Sequence, residues 1–590
     1  MNKYLFAIAV ALVLVGAGCR KNVDETTSKG PIDIELVETS ILGYVLNEAG
    51  EPLPFAYVNI GNETVQSNER GAFLFRNKLL DKYGTLIKVK QTGFHDAFKF
   101  VYPHLGTVSQ VEIRMRAQSA SNTFSADAEH TLNFASGNIE VQVTIPANAV
   151  ADQNGQVWTG SVTARTVAYD PTDAEDRRVV PGDFRAQNSE GDACILKSFG
   201  MFGVELTSAS GAPLNLLPGQ KAKISLKIPG NLSGQAPSEI PLWHFNEING
   251  YWEEEGSATL VNGRYEGEVA HFSFWNCDIP SNFAFINGRV VTTTGEVAAY
   301  AYVQVSSTNW GTTWSHCDDQ GNFSGLVPND ETLDLQIGLE CTNNVVEIGP
   351  FDPGSQNDIG TKSLSEAAIR YKGKLVSCSG VPLASGMVYI KKDTSEYLPI
   401  LALTDGNGEF DIYSNNCNIP ASAEAQAYDL ANDLVSTPVP GDITNNLIDF
   451  GNIVVCDPQE EYIMLELGSP NPTIYTYNIN PSLVHWGDSL LIKGLYLDNG
   501  SVTRTFDGNI TYSGNGAASG VMYHYLALLN TGWASCFNCI NNDVATITAA
   551  PTNVGDFGAG FVLGTARRVS NGGTQTTTPY KITFKIRRDQ

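Results

Sequence analysis

Basic residues are scarce in this sequence. Its 590 residues include 37 lysines and arginines against 63 aspartates and glutamates, which gives a formal net charge of −26, and only 17% of the chain is charged. Nucleic acids and anionic lipid surfaces are bound through basic patches, which this balance does not supply. The composition therefore excludes nucleic acid as a partner, argues against adsorption on anionic lipid, and indicates an acidic surface that resists self-association.

The sequence also lacks the motifs of known reaction centres. It contains no Gly-x-Ser-x-Gly elbow, phosphate-binding loop or dinucleotide fingerprint, and its eight histidines are scattered singly. His244 and Glu247 have the spacing of two zinc ligands in metallocarboxypeptidases, but residues three apart on a strand lie on opposite faces. We therefore predict no catalytic residue, no metal and no cofactor, and hence a protein that is not an enzyme.

No stretch of a dozen residues after the N-terminus has a helical stripe. Glycine is abundant, at 56 residues, and Asn-Gly, Asp-Gly and Gly-Asn pairs separate short alternating segments. Such segments predict half-buried strands joined by tight turns. Because 590 residues are too many for one core, we predict an all-β protein of tandem prealbumin-like or immunoglobulin-like β-sandwich domains in series after a lipoprotein signal peptide.

Three copies of one short pattern organise the sequence. They start at Gly43, Gly288 and Gly373, and each has a second glycine seven positions on, a small residue thirteen on and a valine fifteen on. The first glycine lies in an alternating segment typical of a strand, the second glycine suits a turn, and the last two positions share one face of the next strand. Fixed offsets in three places predict three copies of one structural unit.

A polar turn that ends in Gly-x-Phe follows the pattern in each copy, with its aromatic residue at Phe73, Phe323 and Phe410. This turn predicts a hairpin that places a ring in the core. Residues 43–75 resemble the carboxypeptidase regulatory-like domain, and the second copy departs from it by having Val297 where the other two have proline. The resemblance implies a seven-stranded sandwich of prealbumin type that acts as a non-catalytic accessory module.

The N-terminus has the pattern of an export signal. Lys3 precedes an apolar stretch, 5–15, that is too short to span a bilayer as a helix. The stretch ends in Gly-Ala-Gly-Cys at 16–19, which resembles a bacterial lipobox. The resemblance implies that 1–18 is removed as a signal peptide and that Cys19 is lipidated; cleavage near Gly18 without lipid is the alternative.

A lipid on Cys19 makes the membrane the first partner that we expect. Arg20 and Lys21 follow it, and by resemblance to lipoprotein sorting signals they favour the outer membrane, with the protein on its periplasmic or cell-surface face. Residues 19–39 are polar and predict a flexible tether behind the lipidated cysteine.

The remainder divides into five β units by repeat and composition. We expect regulatory-like sandwiches at 40–117, 283–366 and 367–457, a different all-β domain at 118–282, and a C-terminal β domain of no recognised family at 458–590. The domain at 118–282 has an Ile-Pro-Ala-Asn-Ala segment at 145–149 and an aromatic hairpin around Asn249-Gly250. This combination is similar to a β-domain of Bacteroidota surface proteins, and the similarity implies no enzymatic activity.

Nine cysteines remain once Cys19 is assigned to lipid, and in an exported chain they are disulfide candidates. Cys194 and Cys277 bracket the second half of their domain, and Cys317 and Cys341 could join neighbouring strands of the second repeat. The third repeat has an odd number, so one of its three is expected to be unpaired. The complete set is Cys194, Cys277, Cys317, Cys341, Cys378, Cys417, Cys456, Cys536 and Cys539.

The last two cysteines form a Cys-x-x-Cys motif. We interpret Cys536 and Cys539 as a small structural loop; a redox pair and half of a zinc site are the alternatives. Neither a second such motif nor the alternation of strands and helices seen in thioredoxin-like proteins accompanies it.

Three other groups could bind something. Asp405, Asn407 and Glu409 alternate as calcium-loop oxygens do, but they fit a hairpin turn better, so calcium is the weaker interpretation. The triplet 253–255, three glutamates, is predicted to be a solvated turn. Trp310 and Trp314 could form a platform for a sugar ring, against the commoner role of aromatics in a sandwich core.

Together these features predict a non-catalytic, lipid-anchored cell-envelope protein that presents tandem sandwiches for binding or scaffolding. The alternative is a carbohydrate- or peptide-binding component of an outer-membrane uptake or degradation system. Envelope proteins and glycans are the candidate partners besides the membrane.

Overall fold

The computed structural model of the chain describes residues 34–587 with short gaps, and beyond residue 455 it describes the strands only. The gaps are 120, 339–343, 366–367, 378–379, 385, 393–398, 415–420, 430–433, 456–461, 468–472, 478, 487–488, 499–500, 512–515, 518–519, 529–532, 535–543, 550–556 and 570–574. Nearly every described element is a strand, which confirms the prediction of an all-β protein in tandem sandwiches. Among the described residues, no helix has the length and apolarity needed to cross a membrane.

The first module comprises seven strands: β1 (Leu36–Asn47), β2 (Tyr57–Ile60), β3 (Glu63–Gln66), β4 (Ala72–Asp81), β5 (Thr85–Lys90), β6 (Ala97–Val101) and β7 (Val108–Met115). They form two sheets, of order β4-β1-β7 and β3-β2-β5-β6. β1 is antiparallel to β4 and parallel to β7. The inward faces of the two sheets enclose a core that includes Ala56 and Val58, the two positions that the repeat pattern places on one face.

The second module comprises thirteen strands, one short helix and a 3-10 turn. The elements are β8 (Asn122–Ser125), β9 (His130–Ser136), β10 (Ile139–Ile145), β11 (Val150–Ala151), β12 (Ser161–Tyr169), α1 (Ala174–Val179), β13 (Arg185–Gln187), β14 (Ala193–Ser208), β15 (Pro213–Leu216), β16 (Ala222–Lys227), the 3-10 turn (Ser233–Gln235), β17 (Glu239–Phe245), β18 (Trp252–Val261), β19 (Arg264–Val269) and β20 (Phe274–Ser281). Most of the strands follow one path, β11-β15-β14-β20-β17-β18-β19-β16-β10-β9, with β12 paired to β14 and β8, and β13 between β14 and β18. Three tryptophans, Trp243, Trp252 and Trp275, are fully buried in this module.

The third module repeats the topology of the first. Its strands are β21 (Phe283–Val291), β22 (Tyr302–Ser307), β23 (Gly311–His316), β24 (Asn322–Pro328), β25 (Leu333–Ile337), β26 (Val345–Ile348) and β27 (Gln356–Ser363). Their order, β24-β21-β27 and β23-β22-β25-β26, matches the first module strand for strand. The prediction that these two stretches are copies of one unit is therefore confirmed.

The fourth module is a variation on the same plan. Its strands are β28 (Ile369–Ser377), β29 (Met387–Lys392), β30 (Ile400–Leu403), β31 (Glu409–Ser414), β32 (Ser422–Asp429), β33 (Leu434–Val435), β34 (Val439–Thr444) and β35 (Leu447–Val455). As in the other two copies, the first strand, β28, is antiparallel to the strand that follows the Gly-x-Phe turn, β31, and parallel to the last strand, β35. Here β34 pairs with both β32 and β35 and so joins the two sheets.

In the last region, the described residues form eleven strands in two sheets. They are β36 (Tyr462–Leu467), β37 (Thr473–Tyr477), β38 (Ile479–Trp486), β39 (Ser489–Asp498), β40 (Ser501–Thr511), β41 (Gly516–Ala517), β42 (Gly520–Leu528), β43 (Trp533–Ala534), β44 (Val544–Ala549), β45 (Phe557–Val569) and β46 (Gln575–Arg587). The sheets have the orders β37-β36-β46-β45-β44-β41 and β38-β39-β40-β42-β43.

The repeated glycine has one cause in all three copies. Gly43, Gly288 and Gly373 each lie directly opposite the phenylalanine of the Gly-x-Phe turn. A Cβ atom on Gly43 or Gly288 would lie 2.6 Å from the Cζ of that ring, and one on Gly373 would lie 2.8 Å from a ring carbon. Only glycine leaves room for the ring to cover the strand, so the sequence pattern records a packing constraint.

The first module contacts each of the next three. A cluster of apolar side chains joins it to the fourth module, among them Leu42, Tyr44, Met387 and Tyr389. Beside this cluster, the Arg70 guanidinium lies 4.3 Å from the ring centroid of Tyr389. The sequence pattern gave no indication that the modules, successive along the chain, gather around the first one.

Candidate functional site

A cavity of about 170 Å³ lies where the first, second and third modules meet. One wall is β6 and Tyr102 after it, a second is the segment after α1, and a third is the β22–β23 hairpin with β24. Cavities between modules are a common place for ligands because several elements can supply side chains to one space. Its volume suits a compact ligand.

Trp310 and Trp314, the tryptophans singled out in the sequence, both line this cavity and are both half-buried. Trp314 lies on β23, and Trp310 lies in the turn before it, where its backbone N–H donates to the Ser307 hydroxyl at 3.0 Å. The two rings therefore belong to one hairpin. The structure brings these two candidates together, as a binding platform requires.

Arg177 of α1 lines the cavity, and the neighbouring Arg178 lies beside it against the Trp314 ring. The Nε of Arg177 donates to the Thr312 carbonyl at 2.9 Å, and its Nη1 donates to the Pro171 carbonyl at 3.2 Å. Burial lowers the pKa of Arg177 to about 10, so it still carries its charge at neutral pH. The Arg178 guanidinium lies 4.2 Å from the ring centroid of Trp314, in a cation–π contact that fixes the ring.

Lys99 adds a positive charge that is not committed to a partner. It projects from β6 into the cavity wall, and among the described residues its ammonium group makes no hydrogen bond or ion pair. Burial lowers the pKa of Lys99, and the charges of Glu112 and Asp183 act in the opposite direction. A half-buried ammonium beside aromatic rings is suited to a ligand that carries hydroxyl groups or a carboxylate.

The described cysteines are free thiols rather than halves of disulfides. Cys194, Cys277 and Cys317 are all buried, and they belong to three different apolar clusters. Burial raises the pKa of Cys194 to about 12, which keeps its thiol protonated and unreactive. Cys194 and Cys277, two of the disulfide candidates, are not joined to each other, and each side chain packs into its own apolar cluster.

The other predicted cysteine positions lie outside the described residues. These are Cys19, Cys341, Cys378, Cys417, Cys456, Cys536 and Cys539. Their expected lipid, disulfide and loop roles stay predictions.

Asp405, Asn407 and Glu409 are held in a hairpin turn. One Asp405 carboxylate oxygen accepts from the backbone N–H groups of Asn407 at 2.9 Å and Glu409 at 2.8 Å. The Glu409 carboxylate is 3.1 Å from the Lys374 ammonium. The oxygens are thus directed to the turn and to a lysine instead of toward one point.

The structure does not bring His244 and Glu247 together. His244 lies on β17, whereas Glu247 follows in the turn before β18 and is exposed. The prediction of a solvated turn at 253–255 is wrong, because these glutamates lie on β18. The strand is stabilised there by pairing with β17, which a run of charges in the sequence does not reveal.

The sequence analysis did not predict the cations at this cavity, which are Lys99 and Arg177 in its wall and Arg178 beside it. Lys99, Arg177 and Arg178 come from two modules that precede the tryptophan hairpin in the chain. The adjacent arginine pair in an otherwise acidic chain was the only local signal, and it does not indicate which surface the arginines meet.

Comparison with known proteins gives partial matches. No protein-family profile matches the chain. Cartilage intermediate layer protein 1 of Sus scrofa is 33% identical over 164 residues, which covers 25% of this chain and 26% of that protein. Its Mus musculus counterpart is 28% identical over 273 residues, 41% of this chain and 22% of that protein. The chain thus spans about a quarter of the length of the curated relatives that it matches.

Solved structures give weaker likenesses. A streptococcal ancillary pilin is 8% identical, with a TM-score of 0.14, over 39% of this chain and 96% of the pilin. The major pilin subunit of Bacillus cereus is 8% identical, with a TM-score of 0.12, over 71% of this chain and 99% of the pilin. Such low TM-scores carry no argument about this protein.

Proposed function

We propose that this protein is a non-catalytic, lipid-anchored cell-envelope protein that presents tandem β-sandwich modules for binding or scaffolding. The observation that carries the proposal is the attachment of the first module to each of the next three. Such contacts fix the modules relative to one another, and a fixed arrangement is what a presenting platform requires. The partial likeness to proteins named for a layer of cartilage is in keeping with a structural role.

Contacts between the first and third modules illustrate the attachment. The Val108 N–H donates to the Asp319 carboxylate at 2.8 Å, and the Asp319 N–H donates back to the Val108 carbonyl at 2.9 Å. The His104 ring nitrogens lie 3.1 Å from the Asp318 carboxylate and 2.9 Å from the Ser324 hydroxyl. Reciprocal hydrogen bonds of this kind specify orientation as well as proximity.

Cys19 supplies the membrane attachment in this proposal. The lipobox-like segment before it and the polar tether 19–39 behind it support a lipid anchor with a spacer. The partner is then the outer membrane, with the modules on its periplasmic or cell-surface face and envelope proteins or glycans as further partners.

We expect Cys19→Ser to release the full chain from the membrane. In a bacterial host that processes lipoproteins, the unaltered protein should incorporate a palmitate analogue at Cys19. It should also fractionate with the outer membrane, because two or three acyl chains anchor a protein far more firmly than one. The variant should lose the label and become soluble. Cys194→Ser, which alters a buried thiol, is the control and should keep the label. An unlabelled wild type would contradict the proposal.

A second candidate function is a carbohydrate- or peptide-binding component of an outer-membrane uptake or degradation system. The observation that favours it is the cavity, where two tryptophans and an uncommitted lysine face one space. Aromatic faces stack on sugar rings, and donors around them bind hydroxyl groups.

We expect Trp314→Ala to weaken the binding of any glycan that the wild type selects on an array. Loss of a central aromatic contact costs about 2 kcal/mol, or roughly 30-fold in Kd, measured by calorimetry. Trp158→Ala is the matched control, since Trp158 is half-buried in the second module away from the cavity. An equal loss in both variants would point to general destabilisation. If no glycan binds and other envelope proteins are captured, scaffolding is favoured.

A further inference from the structure

Two histidines and a glutamate converge on the surface of the second module. The Nε2 of His271 is 3.4 Å from the Glu255 carboxylate, and the Nε2 of His244 is 3.8 Å from the same oxygen. One ligand atom from each of the three residues lies within 4.8 Å of the other two. Because the residues come from β17, β18 and the turn before β20, their convergence is a product of the fold.

Strand register fixes this arrangement. His244 on the central strand β17 lies opposite Glu253 of β18 on one side and opposite Trp275 of β20 on the other. The register shifts between Glu254 and Ser257 of β18, and within that irregularity the Glu255 carboxylate lies 3.8 Å from the His244 Nε2. The Trp275 indole N–H donates to the His271 carbonyl at 3.0 Å, which fixes the turn that carries the second histidine.

The two imidazoles are also held by ring packing. Their centroids are 4.7 Å apart with the planes nearly perpendicular, and the Trp275 ring lies 5.0 Å from His271 and 5.7 Å from His244. The side chains of His244, His271 and Glu255 are 19%, 33% and 42% exposed. The group is thus backed by a buried indole and open to solvent on one side, as a binding site for an ion requires.

The separations fit metal ligands better than hydrogen-bond partners. A hydrogen bond between imidazole and carboxylate would bring nitrogen and oxygen to about 2.7–3.2 Å. Ligand atoms at about 2.0–2.2 Å from a tetrahedral zinc ion lie about 3.3–3.6 Å from one another. The nitrogen–oxygen separations of 3.4 and 3.8 Å lie at or near that range, and the two imidazole nitrogens, within 4.8 Å of each other, would move closer when they bind the ion.

We propose that His244, His271 and Glu255 bind one divalent transition-metal ion, with Zn²⁺ as the representative. Two imidazoles and a carboxylate are a ligand set that suits zinc and its neighbours in the first transition row. The fourth position falls to water or to Glu253, whose carboxylate is 3.6 Å from the His244 Nε2. Asn246 and Asn249 donate to the other oxygen of Glu253, at 2.7 and 3.1 Å, and so orient it.

The bound ion would join β17, β18 and the turn before β20 across one face of the sheet. This inference is independent of the lipid anchor and of the cavity ligand, since it depends on residues that take part in neither. It assigns a metal to the module and no reaction.

The test is calorimetric titration of the tag-free, chelator-treated ectodomain, residues 20–590, with ZnCl₂. We expect one strong site, and a visible absorption band from a four-coordinate ion when Co²⁺ replaces Zn²⁺. His244→Ala and His271→Gln should each weaken that site by about 100-fold or more, and Glu255→Gln by about 10–100-fold. Each variant is first compared with the wild type by metal-free thermal unfolding, so that a folding defect is recognised.

Two controls keep the outcome specific. Glu254→Gln removes the same charge from the neighbouring position, whose carboxylate accepts from the Ser189 N–H instead, and it should leave the affinity unchanged. The titration is repeated with Cys536→Ser and Cys539→Ser, because a Cys-x-x-Cys motif can itself bind zinc. Wild-type affinity in a His244→Ala, His271→Gln double variant, or equal losses from Glu254→Gln and Glu255→Gln, would overturn the proposal.

Discussion

Replacing Arg185 with alanine is expected to lower the free energy of unfolding by about 3–5 kcal/mol and to loosen the first module from the second. Arg185 lies on β13 of the second module and is only 2% exposed. Its guanidinium binds the Asp183 carboxylate through two nitrogens, at 2.9 and 3.0 Å. It also donates to the Tyr83 carbonyl at 3.0 Å and to the Tyr102 hydroxyl at 3.1 Å, both in the first module.

The size of the effect follows from what the substitution leaves behind. Asp183 would keep a largely buried carboxylate with its cation gone, and the Tyr83 carbonyl would lose a donor. The Phe100 ring, whose centroid is 3.7 Å from the guanidinium carbon, would face a void. Breaking a buried ion pair by removing one partner is more damaging than replacing both, because an uncompensated charge stays in a poorly solvated site.

Denaturant unfolding and calorimetry of the protein, residues 20–590, measure the loss. A double variant, Asp183→Asn with Arg185→Met, should recover part of it because no unpaired charge then remains. The control is Arg165→Ala, since Arg165 on β12 forms no ion pair among the described residues. Unchanged transitions in Arg185→Ala, or no recovery in the double variant, would contradict this account of the interface.

Local rules explain why the repeated sandwiches could be predicted from sequence. A glycine facing a phenylalanine, as at Gly43 and Phe73, is a constraint between two adjacent strands, so it recurs at a fixed offset. In the third module, Val297 forms an isolated β-bridge with Val291. This is the position at which Pro52 forms a bridge in the first module. A backbone pairing of this kind tolerates either residue, which is why the departure from the pattern did not change the fold.

The sites depend on contacts that no local rule contains. Trp314 could be singled out as an aromatic residue, but its packing under Arg178 depends on how the second and third modules meet. The sequence spacing relates His244 to Glu247, whereas strand pairing places His244 beside Glu255 and His271. Spacing along one strand predicts which residues share its face, but it does not predict which strands are neighbours.

The expected disulfides illustrate a different limit. An exported chain favours cystine, yet Cys194 and Cys277 lie in separate apolar clusters of the same module. Burial raises the pKa of both thiols and so disfavours the thiolate that oxidation requires. The cellular compartment sets a general tendency of cysteines to form disulfides, whereas the packing around each cysteine determines whether it can reach a partner.

Asp278 is expected to make the second module less stable as pH rises, and Asp278→Asn to remove that dependence. Asp278 lies on β20 and is fully buried. Burial raises the pKa of its carboxyl group well above the usual value, and the hydrogen bond that the Asn276 side-chain amide donates to one carboxylate oxygen only partly opposes this.

The sign follows from proton counting. In the unfolded chain an aspartate ionises near pH 4, whereas the folded module holds the proton to a higher pH. Between those two pKa values the unfolded state binds fewer protons, so the free energy of unfolding falls with increasing pH, by up to about 1.4 kcal/mol per pH unit for this one group. The contribution is complete below the unfolded pKa and is lost as the pH rises toward the folded one.

Thermal or denaturant unfolding of the protein, residues 20–590, at pH 5, 6, 7 and 8 tests this prediction. Because histidines also titrate in that window, the quantity to compare is the difference between variant and wild type at each pH. At pH values below the folded-state pKa of Asp278, the free energy of unfolding of Asp278→Asn should rise relative to that of the wild type, by up to about 1.4 kcal/mol per pH unit, whatever the difference at pH 5. The control Asp127→Asn, an exposed aspartate of the same module, should show a constant difference. A difference that is equally constant for Asp278→Asn would mean that the buried carboxyl group is already ionised at pH 5, and that the hydrogen bonds around it outweigh its burial.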